Sequence, residues 1–402
     1  MSTLLDTSPK PRVANKDKVT PIKVVIAALM VSVGISILAY AMNDSEAAKR
    51  DFLCYWATGH QLVNHGNPYD ADAILRIQKS AGYTQNHPFY MRNPPTAFFI
   101  ALPLGFVNAK HGAVLWSLAI IGCLMASIRM LWILNGRPED RLHLVGYLFP
   151  PALACLLAGQ TGIFLLFGIV LFLYLYYSSH PYGAGAALIV IALKPQIFLP
   201  VAVVLIAWTI TAKAYRVLAG AAIALGSSLT LSVFLDPSGW HHYLQMIKLE
   251  NISEEFVPTI SLMFRISISQ KYGWLQFVPA FLGCRWALMY YRRNRERWSW
   301  INEAPILLLV SILVAPYAWF SDEVIVLPAI LAGLYRSSNS GRSLIPYCCI
   351  AGVALVQVFA NVGISSGLYL WTTPAWLLWY AYAVKPLVMH DTHLVTDLFR
   401  RR

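Results

Sequence analysis

From Val24 to Met42 the chain runs nineteen residues without a charged side chain. At ~1.5 Å per residue, a helix of that length spans a ~30 Å hydrocarbon core. A cleaved secretory signal has an apolar stretch of only about 7–15 residues and a small-residue cleavage site. The run therefore reads as an uncleaved first membrane helix with its N-terminus in the cytoplasm. Further apolar runs follow at roughly 112–134, 143–158, 161–178, 183–194, 195–212, 215–235, 274–291, 303–320, 322–336, 344–361 and 366–384. A chain built this way has little choice of fold, because only helices satisfy the backbone of repeated apolar segments inside a bilayer. The expectation is an all-α polytopic membrane protein with about twelve transmembrane helices, in a range of roughly ten to thirteen. One stretch, Pro94 to Val107, carries three prolines and is too short for a crossing, which suits a re-entrant or interfacial segment.

Charge supports this and orients it. Only 12% of the 402 residues are charged and 57% are hydrophobic, against about 25% and 45–50% in an ordinary soluble domain. A soluble enzyme and a disordered chain are excluded. The net charge of +12 does not signal nucleic acid, because Lys and Arg fall in short clusters between apolar runs. Positively charged loops favour the cytoplasm. If Pro94–Val107 does not cross, the cytoplasmic side gathers 21 of the 31 Lys and Arg, including Arg285, Arg292, Arg293, Arg295 and Arg297. If it does cross, that basic run lands outside. The first solution puts residues 1–21 and 385–402 in the cytoplasm, around a single integral domain over 22–384. It leaves two external segments, about 43–111 and 236–273. Phe52, Tyr55, Trp56, Leu62, Ile74, Leu75 and Ile77 suggest amphipathic helices on the membrane surface within the first.

Several polar groups gather on that external side. Asp51 stands just past the first helix, beside Lys49 and Arg50. It reads either as a solvated charge or helix N-cap, or as a general base whose pKa burial would raise and the cations would lower. Asp70-Ala-Asp72 has the form of a metal-chelating pair, but it follows the turn Asn67-Pro68-Tyr69, so Asp70 is more simply an N-cap. Gly159-Gln160-Thr161-Gly162 and Leu193-Lys194-Pro195-Gln196 each join two adjacent spans. Lys194, at the end of an apolar run, is either a snorkelling lysine or the lining of a cavity. Asp322-Glu323 also falls outside. In the second external segment, Arg265 has the fork of donors that pairs with phosphate. His241-His242 lacks the i, i+4 spacing of a helical metal site. Six cysteines form no C-x-x-C pair and read as small, buried apolar residues. There is no phosphate-binding G-x-x-x-x-G-K-[ST] loop, which argues against an ATP-driven pump within this chain.

In this order the elements resemble glycosyltransferase family 87, membrane enzymes of GT-C architecture that use polyprenol-phosphate sugars. The resemblance rests on Asp51, Phe52, Tyr55, Trp56 and Ala57, then Gly66-Asn67-Pro68-Tyr69-Asp70, Pro94-Pro95 with Pro103-Leu104, Gly159-Gln160, Lys194-Pro195-Gln196, and Pro316 with Asp322 and Leu327-Pro328. It covers about residues 22–384. Two positions depart: Asn93 stands where an aromatic residue is frequent, and Ser321-Asp322-Glu323 where relatives often show Tyr-Asp or a His-bearing variant.

The resemblance implies a GT-C-like fold and inverting transfer of a hexose, mannose first, from a polyprenyl phosphate to a hydroxyl of an envelope glycolipid or glycan. The reaction would take place on the periplasmic or external face of the inner membrane. It implies Asp51 as the base, with no metal, nucleotide or other cofactor. Tyr55, Trp56, Arg92, Gln160, Lys194, Gln196, Arg265 and Asp322 would bind substrate, and Lys194, Arg265 or Arg92 would hold the phosphate. The alternative is a secondary transporter or lipid-carrier flippase without catalysis. Against it stand the lack of inverted repeats and the one-sided polar inventory. A noncatalytic scaffold would have no use for that inventory.

Overall fold

A computed structural model describes residues 51–250, 255–337 and 343–384. The expected first span Val24–Met42, Lys49, Arg50, Arg342 and both expected cytoplasmic termini lie outside the described residues. Every regular element among the described residues is helical.

The first external segment opens with α1 (Phe52–Val63) and α2 (Ala71–Ser80). They contradict a common amphipathic reading. In α2 only Ile74 and Gln78 are buried, and Asp70 caps its start by accepting a hydrogen bond from the Ala73 amide at 2.8 Å. That is a helix with one apolar stripe and a satisfied N-terminus. In α1, by contrast, all residues from Phe52 to Gly59 are buried, with Leu62. A helix that is apolar all round belongs inside the protein, not on its surface.

Pro94–Val107 forms a broken element: 3₁₀ turns over Pro95–Ala97 and Leu102–Phe106 enclose the single turn α3 (Phe98–Ala101). Its prolines withhold the amides a continuous helix needs. The element lies against α1 through two glycines. A Cβ at Gly59 would come within 2.1 Å of the Ala101 carbonyl, and one at Gly105 within 2.1 Å of the Gly59 carbonyl. Only residues without side chains permit that approach.

The bundle follows: α4 (Ala109–Leu134), α5 (Pro150–Ala158), α6 (Gly162–Tyr177), α7 (Pro181–Ala187), α8 (Leu199–Thr211) and α9 (Tyr215–Leu235). After α10 (Gly239–Leu249) and α11 (Ile260–Ile268) come α12 (Val278–Asn294), α13 (Trp300–Leu313), α14 (Leu327–Ser337), α15 (Leu344–Phe359) and α16 (Thr372–Val384). Among the described residues, α4 (26 residues) and α9 (21 residues) are long and apolar enough to cross a membrane, and the other apolar helices are shorter.

Burial in α9 runs opposite to that of a soluble helix. Its buried residues are Val217, Gly220, Ser228 and Ser232, while Ile223 and Phe234 are 65% and 81% exposed. Small and polar residues face the protein and large apolar ones face away, the arrangement of a helix whose solvent is lipid. Of the cysteines, Cys54 and Cys155 are buried as expected, whereas Cys348 and Cys349 on α15 are exposed.

Candidate active site

The site is assembled from the start of α1, the turn at Gly159, the break at Lys194 and the 3₁₀ segment Phe320–Val326. α5 ends at Gly159, whose left-handed backbone (φ +70°) turns the chain so that Gln160 faces back. This turn is well anchored. The Gln160 amide donates to the Cys155 carbonyl at 3.0 Å, the Cys155 thiol donates to the Gln160 carbonyl at 3.0 Å, and the Trp116 indole donates to the Gly159 carbonyl at 2.8 Å. The Gln160 side-chain amide donates to Oδ2 of Asp51. The Asp51 backbone is tied to the same turn, its amide donating to the Ala158 carbonyl at 3.0 Å. Asp51 occupies the N-cap position of α1, but its side chain makes no capping bond. Of the two readings of this carboxylate, the capping one is therefore not what the fold uses.

Lys194 lies in the sharp break between the 3₁₀ turns Leu188–Leu193 and Pro195–Ile197. It neither snorkels nor stands bare. Its ammonium donates to both oxygens of Asp322 at 2.7 and 2.9 Å, and the two residues are 8% and 0% exposed. Asp322 is itself held by the Trp319 amide at 3.0 Å, which caps the 3₁₀ segment Phe320–Val326. Lys194, one of the three residues expected to hold the phosphate, is paired here with a protein carboxylate. The neighbouring Glu323 faces α16, accepting from the Thr372 hydroxyl at 2.5 Å and the Trp376 indole at 3.1 Å.

Asn93 links these parts. Its Oδ1 accepts from the Tyr55 hydroxyl at 2.8 Å, and its Nδ2 donates to the Leu193 carbonyl at 2.6 Å. Tyr55 in turn stacks on Trp116, with ring centroids 4.8 Å apart. One buried amide thus bridges the helix that follows Asp51 and the turn that carries Lys194. At the sequence level Asn93 stood out only as a departure from the family pattern. A polar residue set directly before Pro94-Pro95 within an apolar stretch was the available signal for its role.

The Asp51 carboxyl is pushed up to about 7. Burial is the main cause, and Asp322 adds to it, while Lys194, Arg92 and the Gln160 hydrogen bond pull it down. Near neutral pH the group is divided between its two protonation states, as suits a general base.

A second polar group lies beside this one. Arg92 pairs with Glu255, approaches Glu250 at 3.7 Å and stands 3.4 Å from the Tyr317 hydroxyl. Arg265 is buried and donates to Gln276 at 2.9 Å, and Gln276 donates to the Pro316 carbonyl. Trp56 turns away from Asp51 and donates to the Val107 carbonyl at 2.8 Å. Gln196 is half-buried in the turn after Lys194. His241 and His242 diverge, the first to Gln245 and the second to Asp236, each at 2.8 Å. Among the described residues no three His, Cys, Asp or Glu side chains group as metal ligands.

The structure thus brings together Asp51, Tyr55, Gln160, Lys194 and Asp322, places Arg92 next to them, and leaves Trp56 and Arg265 in separate contacts. In comparisons with known proteins, residues 90–334 match the model of glycosyltransferase family 87. No curated protein and no solved structure matches the chain.

Proposed function

Because this chain belongs to glycosyltransferase family 87, and so is a glycosyltransferase, we propose that it transfers a hexose, mannose first, from a polyprenyl-phosphate donor to a hydroxyl of an envelope glycolipid or glycan. In this reading Asp51 is the general base and the configuration at the sugar carbon inverts. The acceptor hydroxyl attacks the anomeric carbon, and its proton passes to the Asp51 carboxylate. The bond from that carbon to the phosphate oxygen breaks, and the lipid phosphate leaves with the electron pair. This is the logic of an inverting glycosidase with an acceptor in place of water. Gln160 donates to Oδ2, so Oδ1 is the oxygen left to meet the incoming hydroxyl. The observation that carries the proposal is the Asp51 carboxylate held by the neutral Gln160 amide beside the Lys194–Asp322 pair; its raised pKa, caused chiefly by burial, supports it.

The membrane arrangement belongs to the same proposal: about twelve helices, both termini cytoplasmic, and the site facing the periplasm or exterior of the inner membrane. The outward apolar surface of α9 supports it, as does the gathering of separately expected external residues into one cluster. The reaction uses no metal or other cofactor, because the leaving phosphate departs as an anion beside protein cations.

The test uses the purified protein in lipid nanodiscs with polyprenyl-phosphate mannose and a glycolipid acceptor. Asp51→Asn is expected to slow transfer by about 10²–10⁴-fold, and the product anomer to be the opposite of the donor's. Transfer by Asp51→Asn at the wild-type rate would reject the assignment.

A further inference from the structure

Two donors converge on a single carboxylate oxygen at the edge of the site. Arg92 Nη1 donates to Oε2 of Glu255, and the Tyr317 hydroxyl donates to the same oxygen at 3.2 Å. A guanidinium and a phenol aimed at one anionic oxygen make an oxyanion cradle. The residue that fills it comes from far along the chain. We infer that Arg92 and Tyr317 form the seat for a phosphate oxygen of the lipid-linked donor, and that Glu255 occupies this seat until the donor displaces it. The inference rests on the donor chemistry proposed above and deepens it.

Three observations distinguish this pair from a structural ion pair. The first is access. The side chains of Arg92 and Glu255 are 31% and 32% exposed, whereas those of Lys194 and Asp322 are 10% and 0% exposed. Exchanging a partner in a sealed pair exposes a bare charge to a low dielectric, but exchange in an accessible pair does not. The second is surplus charge. One guanidinium faces two carboxylates, Glu255 and, at 3.7 Å, Glu250, so the cradle holds more negative charge than it needs. The third is spare donor capacity, since Arg92 Nε is buried and has no hydrogen-bond partner among the described residues. A phosphate presents more oxygens than a carboxylate and uses a guanidinium fork more fully.

The position also suits the reaction. Arg92 immediately precedes Asn93, which touches both Tyr55 and Leu193. The Arg92 backbone carbonyl accepts from the Tyr243 hydroxyl at 3.4 Å. An anion seated at Arg92 would lie within the field of Asp51.

Binding of polyprenyl phosphate, the product without its sugar, tests the inference in nanodiscs of zwitterionic phosphatidylcholine, with inorganic phosphate as a parallel arm. Removing the competing charge with Glu255→Gln is expected to tighten polyprenyl phosphate by about tenfold, and Glu250→Gln by less. Arg92→Gln is expected to weaken it by about tenfold or more and to abolish the gain in the Arg92→Gln/Glu255→Gln pair. Tyr317→Phe is expected to weaken it by a few-fold. Inorganic phosphate, which lacks the lipid chain, is expected to bind far more weakly in every variant. Unchanged or weaker polyprenyl-phosphate binding in Glu255→Gln overturns the inference, as does a gain for inorganic phosphate alone. If the wild-type protein binds and transfers while Glu255→Gln is neutral, only the cradle falls. If the wild type neither binds polyprenyl phosphate nor transfers its sugar, the donor proposal falls with it.

Discussion

Asp51 and Asp322 lie in the same charge cluster, and the fold treats them in opposite ways. Asp322 is completely buried and receives a lysine in both oxygens and a backbone amide. Asp51 retains some exposure and receives one neutral amide from Gln160, and among the described residues the cation that most lowers its carboxyl, Lys194, is committed to Asp322. A buried carboxylate with a full set of partners is a structural anchor. One that is buried and short of partners stores basicity instead. The difference lies in how completely each charge is answered, not in residue type.

Substitutions can break this comparison. The largest effect is expected from Asp51→Asn, which removes the proposed base and is expected to cost transfer by the factor given above while leaving the melting temperature near or above that of the wild type. The sign follows from linkage. The folded carboxyl at about 7 lies above its ordinary 3.8, so the fold favours the protonated form. Its stabilising contribution is full below pH ~3.8 and is lost as pH rises through about 7. The stability of Asp51→Asn relative to wild type, followed by thermal melts at pH 5.5 and 8.5, is therefore expected to rise with pH.

Asp322→Asn does the reverse. It leaves Lys194 buried without a counter-ion and is expected to cost about 3–5 kcal/mol of stability, seen in denaturation, whereas the Lys194→Met/Asp322→Leu pair recovers most of that loss. An Asp322→Asn protein that melts like the wild type would show that the pair is no anchor.

Next in size comes Asn93→Ala, which leaves the Leu193 carbonyl and the Tyr55 hydroxyl without a shared partner, at about 1–3 kcal/mol. The smallest effects are shifts of the pH–rate profile. The rising limb is expected near pH 7 in the wild type. Because Asp322 raises the Asp51 pKa and the Gln160 hydrogen bond lowers it, the limb is expected to move down in Asp322→Asn and up in Gln160→Leu. Movement in the opposite direction in either variant would mean the limb reports another group.

Legibility from sequence divided along physical lines. The helical class was readable, and the expected apolar runs among the described residues fall on helical elements, because hydropathy acts on consecutive residues. Asp70 as a cap was readable from its turn context, since a cap bonds to an amide three residues away. Asp51, Gln160, Lys194 and Asp322 were singled out by charge or amide placement in apolar surroundings. Their partners were not. Lys194 was expected to snorkel or to line a cavity, as one of three candidates for the phosphate, and its pairing with Asp322, 128 residues further on, had no local mark. α1 was expected to lie on a surface and is buried, because its covering, the broken Pro94–Val107 element seated through Gly59 and Gly105, could not be seen in its own twelve residues. Glu255 and Tyr317 had no local mark at all.

By itself the sequence determined the helical class of this protein, and its run lengths and sparse charge suit a bilayer whatever the packing. It also determined which rare polar groups would be costly to bury, and hence where chemistry was worth seeking. Only the tertiary structure decided which of those groups answer one another. The energy of a charge pair depends on a few ångströms of separation and on the dielectric around it, and close packing of distant segments sets both.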